Sequence, residues 1–537
     1  MNEEAVQAAI DAALAGHTTI NLEIYYWWCT AIMIAIHAGF LAYEMGASRS
    51  KNALASGVKN ILAFAFMIPT FFAFGWWIYL SGYNWPFGAD GIDLMAFDFE
   101  GAASGEPWAE AMGPNLQDQA SGVFWAAFTL FACTTASIYS GAVIERIKLS
   151  AFIITAVFLG SVVWILGASW GWHPTGWMVL EWGFRDVAAA GVVHTIAGFF
   201  ALGILIPLGP RIGKYNPDGS PNDLRGHNMP LTVTGLMMII MGFFGFLGAC
   251  LIYDPVGQWT NIYGIPSNLS AFVFNTLMGM AGGIVGAYFL TRDPFWMMSG
   301  ALGGIFSIAS GIDLFYPPLA FLLGFIGGML IPIAARMLER MGIDDAVGAV
   351  AVHGVCGVWG VLAVGIFCAG YPAVGDIPAI SLIGQVKGAL TLALLGFVPA
   401  LVLGYLLRIF GLLRVRNEVE ILGLDPAEIP SQAYPEFGVW ENDTSAPDVP
   451  RVSSRMPRDI DRDGGGRGNH RPPPRRDREP RRDPEYREAR RRSPEPREPN
   501  YRDSVPPRER EPRRELPPQR PRPDGDLPPQ LPPRRPS

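Results

Sequence analysis

Eleven apolar stretches, each close to twenty residues, dominate the first 412 positions. They run approximately 22–44, 54–81, 121–144, 149–169, 187–208, 230–252, 267–290, 295–312, 316–335, 346–369 and 382–412. A helix of that length crosses a bilayer core of about 30 Å. In lipid the backbone must satisfy its own polar groups, which leaves helices or closed barrels. The chain is therefore expected to be an all-α integral membrane protein with eleven transmembrane helices. A short N-terminal segment (1–21) precedes the membrane domain (22–412), and a juxtamembrane region (413–450) follows it. Around 295–335, glycine runs and Pro317-Pro318 leave open whether one broken span or two short ones are present.

Charge placement sets an orientation. Arg49, Lys51 and Lys59, then Arg146 and Lys148, Arg211, Lys214 and Arg225, Arg292, Arg336 and Arg340, and finally Arg408, Arg414 and Arg416 all fall on one face if the spans alternate, and only Arg185 and Lys387 fall on the other. Lys and Arg collect in cytoplasmic loops, so the N-terminus is expected outside and the C-terminus inside. The loop 83–120 carries seven acids, from Asp90 to Asp118, and no Lys or Arg. The acidic start Met1-Asn-Glu-Glu lacks a basic n-region, and no cleaved leader is expected. The formal charge of -7 conceals two regimes: residues 1–450 hold 16 Lys and Arg against 32 Asp and Glu, whereas 451–537 hold 25 against 16. The latter stretch is rich in Arg, Pro and Glu, cannot bury enough apolar surface to fold, and is expected to be a disordered tail. Without interleaved aromatics it implies no nucleic-acid role. Five cysteines without framework spacing or a CxxC imply neither disulfides nor zinc.

Two stretches repeat one frame. Asp186 opens an apolar run, Val-His194 follows eight positions on, and Gly198 lies one turn further; Asp345, His353 and Gly357 stand identically spaced. Ionisable rings at membrane depth usually face a bundle interior or a pathway, so the matched pair suggests a site between two related halves. Gly-Phe-Leu at 39–41 and the similar Gly245-Phe-Leu247 echo each other at the start of each half. An odd span count with such echoes fits two inverted five-helix repeats plus one extra helix. Glycines inside the spans, as in Gly279-Met-Ala-Gly-Gly-Ile-Val-Gly286, suit tight helix packing.

No GxxxxGK[ST], nucleophile elbow or HExxH occurs, which argues against a pump driven by ATP, a protease or another enzyme. A bare cation in an apolar tunnel needs carboxylates or carbonyl rings, whereas two imidazoles suit a small neutral hydride that donates and accepts hydrogen bonds. No third ligand joins the histidines in frame, so no metal or cofactor is expected.

Five motifs in order complete the pattern: Phe131-Ala-Cys-Thr-Thr through Glu145-Arg146, Asp186 to His194, His227-Asn-Met-Pro, Gly242-Phe-Phe-Gly-Phe246, and Asp344-Asp345 to Gly357. From about residue 22 to 436 the chain resembles the ammonium transporter (Amt/Mep/Rh) family, in its Amt-type form. The resemblance implies a homotrimer in the plasma or inner membrane with one pore per protomer, carrying ammonium, or methylammonium as an analogue, through as ammonia. By position, His194 and His353 resemble the twin pore histidines, and Phe131 and Phe246 the stacked pair closing the outer mouth. Trp172 resembles the outer recruitment residue, with Trp170 as its rival, and Cys250 stands where many members have a Ser at that site. Asp186 resembles a buried carboxylate that orients backbone groups. His37, where Gln is common, is read as packing, Glu145-Arg146 as a loop charge pair, and Gly348 as replacing a frequent acid. Alternatives are an ammonium sensor signalling to a cytoplasmic regulatory partner through its C-terminal region, and an Rh-like facilitator of neutral gas.

Overall fold

The computed structural model describes residues 3–88, 91–98, 119–253, 258–371, 377–429 and 431–435. The tail and much of the acidic loop lie outside the described residues. Eleven long helices cover the eleven apolar stretches: α1 (Glu3–Ala47), α2 (Ser50–Ser81), α3 (Gln119–Ala142), α4 (Leu149–Gly171), α5 (Ala190–Leu208), α6 (Met229–Gly248), α7 (Leu269–Leu290), α8 (Pro294–Ala309), α9 (Pro317–Arg340), α10 (Val350–Phe367) and α11 (Leu382–Ile409). Among the described residues, ten are long and apolar enough to cross a membrane, and α8, at 16 residues, falls short of that length. The uncertain region thus resolves into two helices, each opened by proline at its first turn, where a missing N–H costs nothing. The N-terminal segment expected to precede the first span is instead continuous with it, because Glu3 onward carries helix-favouring Ala, Glu and Gln that outweigh Gly16, with no proline before α1 ends. Two small hairpins, Phe87–Gly88 with Gly91–Ile92 and Leu251–Tyr253 with Trp259–Asn261, are the strands among the described residues.

The sequence echoes correspond to physical neighbours. Helix α6 packs against α1 from Tyr25 onward, with Gly235, Gly242 and Gly245 of α6 seated against the α1 backbone or its side-chain stems. Helices α7, α8 and α9 meet through Gly279, Gly283, Gly304, Gly324 and Gly328, where backbone lies on backbone and any Cβ would clash. Helices α5 and α10 cross at the two His frames. A Cβ on Gly198 would overlap the Gly354 backbone, and one on Gly357 would overlap the Ala190 carbonyl. Each frame's glycine therefore receives the other frame's first turn.

At one end of the bundle the arginine-bearing loops converge. Glu145 accepts from Arg49 Nε at 2.7 Å and lies 3.7 Å from Arg211, which pairs with Asp344 at 2.8 Å. Arg146 Nη2 donates to the Asp344 carbonyl at 2.6 Å. Glu145 and Arg146 are thus a buried network tied to other loops rather than a loop charge pair. Two short helices, Asn417–Leu422 and Leu424–Glu428, lie against this end. Asp425 accepts from Leu54 and Ala55 N–H at the start of α2, and Glu428 from Leu149 N–H at the start of α4.

Candidate functional site

Each histidine sits in the first turn of its helix, and that turn is π-helical in both: Ala190–Thr195 and Val350–Val355. The Asp of each frame explains why. Asp186 Oδ2 accepts from Gly191 N–H at 2.9 Å and Val192 N–H at 2.7 Å, and Asp345 accepts from Ala349 N–H at 2.9 Å and Val350 N–H at 2.8 Å. A carboxylate holding the free N–H groups of a first turn complements the helix dipole. Three residues after each Asp the backbone enters the left-handed region, at Ala189 with φ 76° and at Gly348 with φ 76°. At Gly348 an acid would be both strained and pressed into the Trp296 ring, so glycine suits this position. Antiparallel helices starting in this way bring the rings together: Nδ1 of His194 lies 3.1 Å from Nδ1 of His353, and both are buried.

From His194 a row of rings leads toward the opposite end. Phe246 lies 6.0 Å from His194, Phe131 4.3 Å from Phe246, and Trp172 5.5 Å from Phe131, measured between centroids. The two phenyl rings meet edge to face at 78° rather than stacked, the arrangement the ring quadrupole favours. Phe131, Phe246 and Trp172 are each 0% exposed, so the aromatic end is closed. Trp172 is accordingly not an open surface residue; its Nε1–H donates to the Asp186 carbonyl at 2.6 Å. Trp170 stacks instead on Trp85 at 6.0 Å. Cys250 Sγ–H points back to the Phe246 carbonyl at 3.5 Å. Asp186 Oδ1 accepts from Ser310 at 2.7 Å, and its N–H donates to Tyr263, so the carboxylate is enclosed by protein donors. Burial raises its carboxyl pKa against the bonds from Val192, Ser310 and Gly191.

Several residues of this row were missed by the sequence reading. Phe306 stacks on His194 at 3.6 Å and on His353 at 4.7 Å, forming a wall under both rings, while Phe243 lies 5.6 Å from His194. Phe306 ends the run Gly300-Ala-Leu-Gly-Gly304-Ile, and its only signal was to be the sole large ring among small residues. Phe128 packs at 5.5 Å from Phe131 and 5.9 Å from Trp172. His37 sits against Phe64 at 4.9 Å with Nδ1 3.4 Å from Ser137 Oγ. A buried polar set also escaped notice: Lys59 lies 3.6 Å from Glu44, and both meet Ser140.

Beyond His353 a cavity of about 10 Å³, room for roughly one water-sized molecule, is lined by Tyr43, Ile138, Leu236, Leu302 and Val347. Its neighbour Ala346 borders a vestibule of about 350 Å³, where Arg211, Lys214, Arg225, Arg336 and Asp345 gather. The rings, the small cavity beside His353 and the vestibule follow one another from the aromatic end to the arginine end.

Comparison with known proteins places this arrangement. Residues 24–434 match the model of the Ammonium Transporter Family. Ammonium transporter Amt2 of Methanocaldococcus jannaschii is 33% identical over 404 residues, covering 74% of this chain and 87% of that protein. Ammonium transporter Amt2 of Archaeoglobus fulgidus is 30% identical, covering 79% and 91%. Among solved structures, one titled Sensor Amt Protein superposes with a TM-score of 0.63 at 30% identity, covering 77% of this chain and 99% of its own. Candida albicans Mep2 shares the fold at a TM-score of 0.59 and 23% identity, covering 79% and 92%. With its helices long and apolar enough to span lipid, its paired histidine frames and these relatives, the chain is a multi-pass integral membrane protein that belongs to the Ammonium Transporter Family.

Proposed function

We propose that this protein conducts ammonium across the cell membrane, working as a homotrimer of eleven-span protomers with the N-terminus outside and the arginine end in the cytoplasm. The observation that carries the proposal is the file of rings ending in two imidazoles 3.1 Å apart, with no carboxylate side chain among the residues lining its narrow part. Ammonium is held at the outer aromatic end, where ring faces attract a cation by about 0.5–2 kcal/mol. Trp172 braces this end through its bond to Asp186, and Cys250 leaves recruitment to the aromatics. Near Phe131 and Phe246 the proton passes to outer water, because desolvation disfavours the charged amine. Ammonia then passes His194 and His353, each ring offering one donor and one acceptor, over the floor made by Phe306, and regains a proton in the vestibule. Asp186 and Asp345 position the two rings without touching the substrate.

The test is uptake of labelled methylammonium by proteoliposomes. Phe131→Ala with His194→Ala is expected to lower the rate at least tenfold, as loss of positioned groups does; an unchanged rate overturns the reading. Resemblance to the structure titled Sensor Amt Protein favours a second reading, in which the C-terminal region signals to a cytoplasmic partner. Loss of signalling with uptake retained after removal of 451–537 is the outcome that distinguishes it.

A further inference from the structure

Helix α1 runs 45 residues. At about 1.5 Å per residue that is roughly 67 Å, against a bilayer core of about 30 Å. Trp27 and Trp28, strongly exposed, mark a water–lipid boundary near its middle. The stretch from there to Ala47 matches the bilayer, so residues 4–26 stand clear of the lipid core. A helix of that length is marginal in water by itself and holds together through what its apolar face meets.

The face it offers is specific. Val6, Ile10, Ala13, His17, Ile20, Ile24, Trp27, Ala31 and Ile34 recur at alternating intervals of four and three, the heptad spacing of a coiled coil, and all are exposed. The buried residues of the same helix, Tyr26, Cys29, Met33, Ile36 and Phe40, follow the same spacing on the opposite face, against the protomer's own body. The heptad stripe therefore points away from the protomer. Asp11, Thr18, Thr19 and Glu23 lie off it. Ile10 and Ile24 at one core position and Ile20 at the other favour three or four strands over two, while Val6, Ala13, His17 and Trp27 fill the remaining layers.

We propose that residues 4–27 of α1 pair with the same segment of two further copies of this chain, forming a parallel three-stranded coiled coil that stands on the membrane. His17 provides the polar layer that sets its register. The inference rests on the homotrimer of the proposed function and adds to it an association surface outside the lipid.

Single cysteines introduced into the full-length chain in membranes, in a Cys368→Ser background, test it. Disulfides need Cα atoms about 4.4–6.8 Å apart, so Ile10→Cys, Ala13→Cys and Ile20→Cys are expected to cross-link at least tenfold faster than Ala8→Cys, Ala12→Cys and Thr19→Cys. A second arm removes residues 1–19: dissociation of the trimer moves to lower temperature while uptake per chain stays within about twofold, since the segment makes no contact with the ring file. If the chain is trimeric but the stripe cysteines link no faster than the others, the coiled coil is overturned and the trimer stands. A chain that is monomeric throughout overturns the trimer as well.

Discussion

The Asp186 and Asp345 frames use one backbone device in two chemical settings. Both cap a π-helical first turn with a carboxylate, both enter left-handed backbone three residues later, and both present a histidine to the other. Around Asp186 the neighbours are Trp172, Tyr263 and Ser310, and the way out is closed by Phe131 and Phe246. Around Asp345 they are Asp344, Arg146 and Arg211, and the way out is a charged vestibule. The matched frames thus fix where the rings meet, while unrelated side chains surround each of them. In the proposed function, the aromatic end is where a cation sheds its water and the arginine end is where a neutral molecule meets charges and solvent on leaving.

That comparison breaks most completely at the crossing. Gly198→Leu is expected to leave no correctly assembled protein, because its side chain must displace the Gly354 backbone, whereas Gly354→Ala, whose Cβ meets its nearest neighbour at 3.4 Å, is tolerated. Yield of monodisperse protein after extraction reads the difference. Next in size is Asp344→Asn. Burial opposes the charge of Asp344, yet Arg146 and Arg211 hold its carboxyl well below the usual carboxylate range. Removing its charge leaves the buried Arg146 without that carboxylate and Arg211 with Glu145 alone, and is expected to destabilise the arginine end by about 3 kcal/mol, read as a lowered thermal transition with the aromatic end unaltered.

The smallest effect sharpens the contrast between neighbours. Burial raises the Asp345 carboxyl to about 6 despite the bonds from Val350 and Ala349 N–H, above its unfolded value of about 3.9. Between those two values the unfolded chain gives up its proton first, so the native state loses stability as pH rises from about 4 to 6 and regains it on acidification. Asp344, with its lowered value, contributes stability above about pH 4 that is lost on further acidification. Asp345→Asn is therefore expected to reduce the fall in thermal stability between pH 4 and 6, and Asp344→Asn, which removes a charge that helps raise the Asp345 carboxyl, to move that fall to lower pH.

Helix positions were legible because spans are long, apolar and punctuated by charge, and the His frames because an eight-residue spacing repeated in order is hard to obtain otherwise. The reciprocal seating of Gly198 and Gly357 was present as spacing but silent as contact, since sequence does not say which helices cross. Phe306 was hidden for a similar reason: a phenylalanine in an apolar helix looks like any other until its neighbour is an imidazole. Glu145 and Arg146, adjacent in sequence, looked like partners; the turn directs them to different loops, and Glu145 adopts φ 70° to do so. The start of α1 was cut short because Glu3, Glu4, Asp11, His17 and Asn21 dilute the hydropathy of that stretch without ending the helix.

The two carboxylates of the short C-terminal helix, Asp425 on the first turn of α2 and Glu428 on that of α4, place a single stopper over two spans. Because one short helix supplies acceptors to both helix starts, a change at either start is felt at the other through a five-residue link.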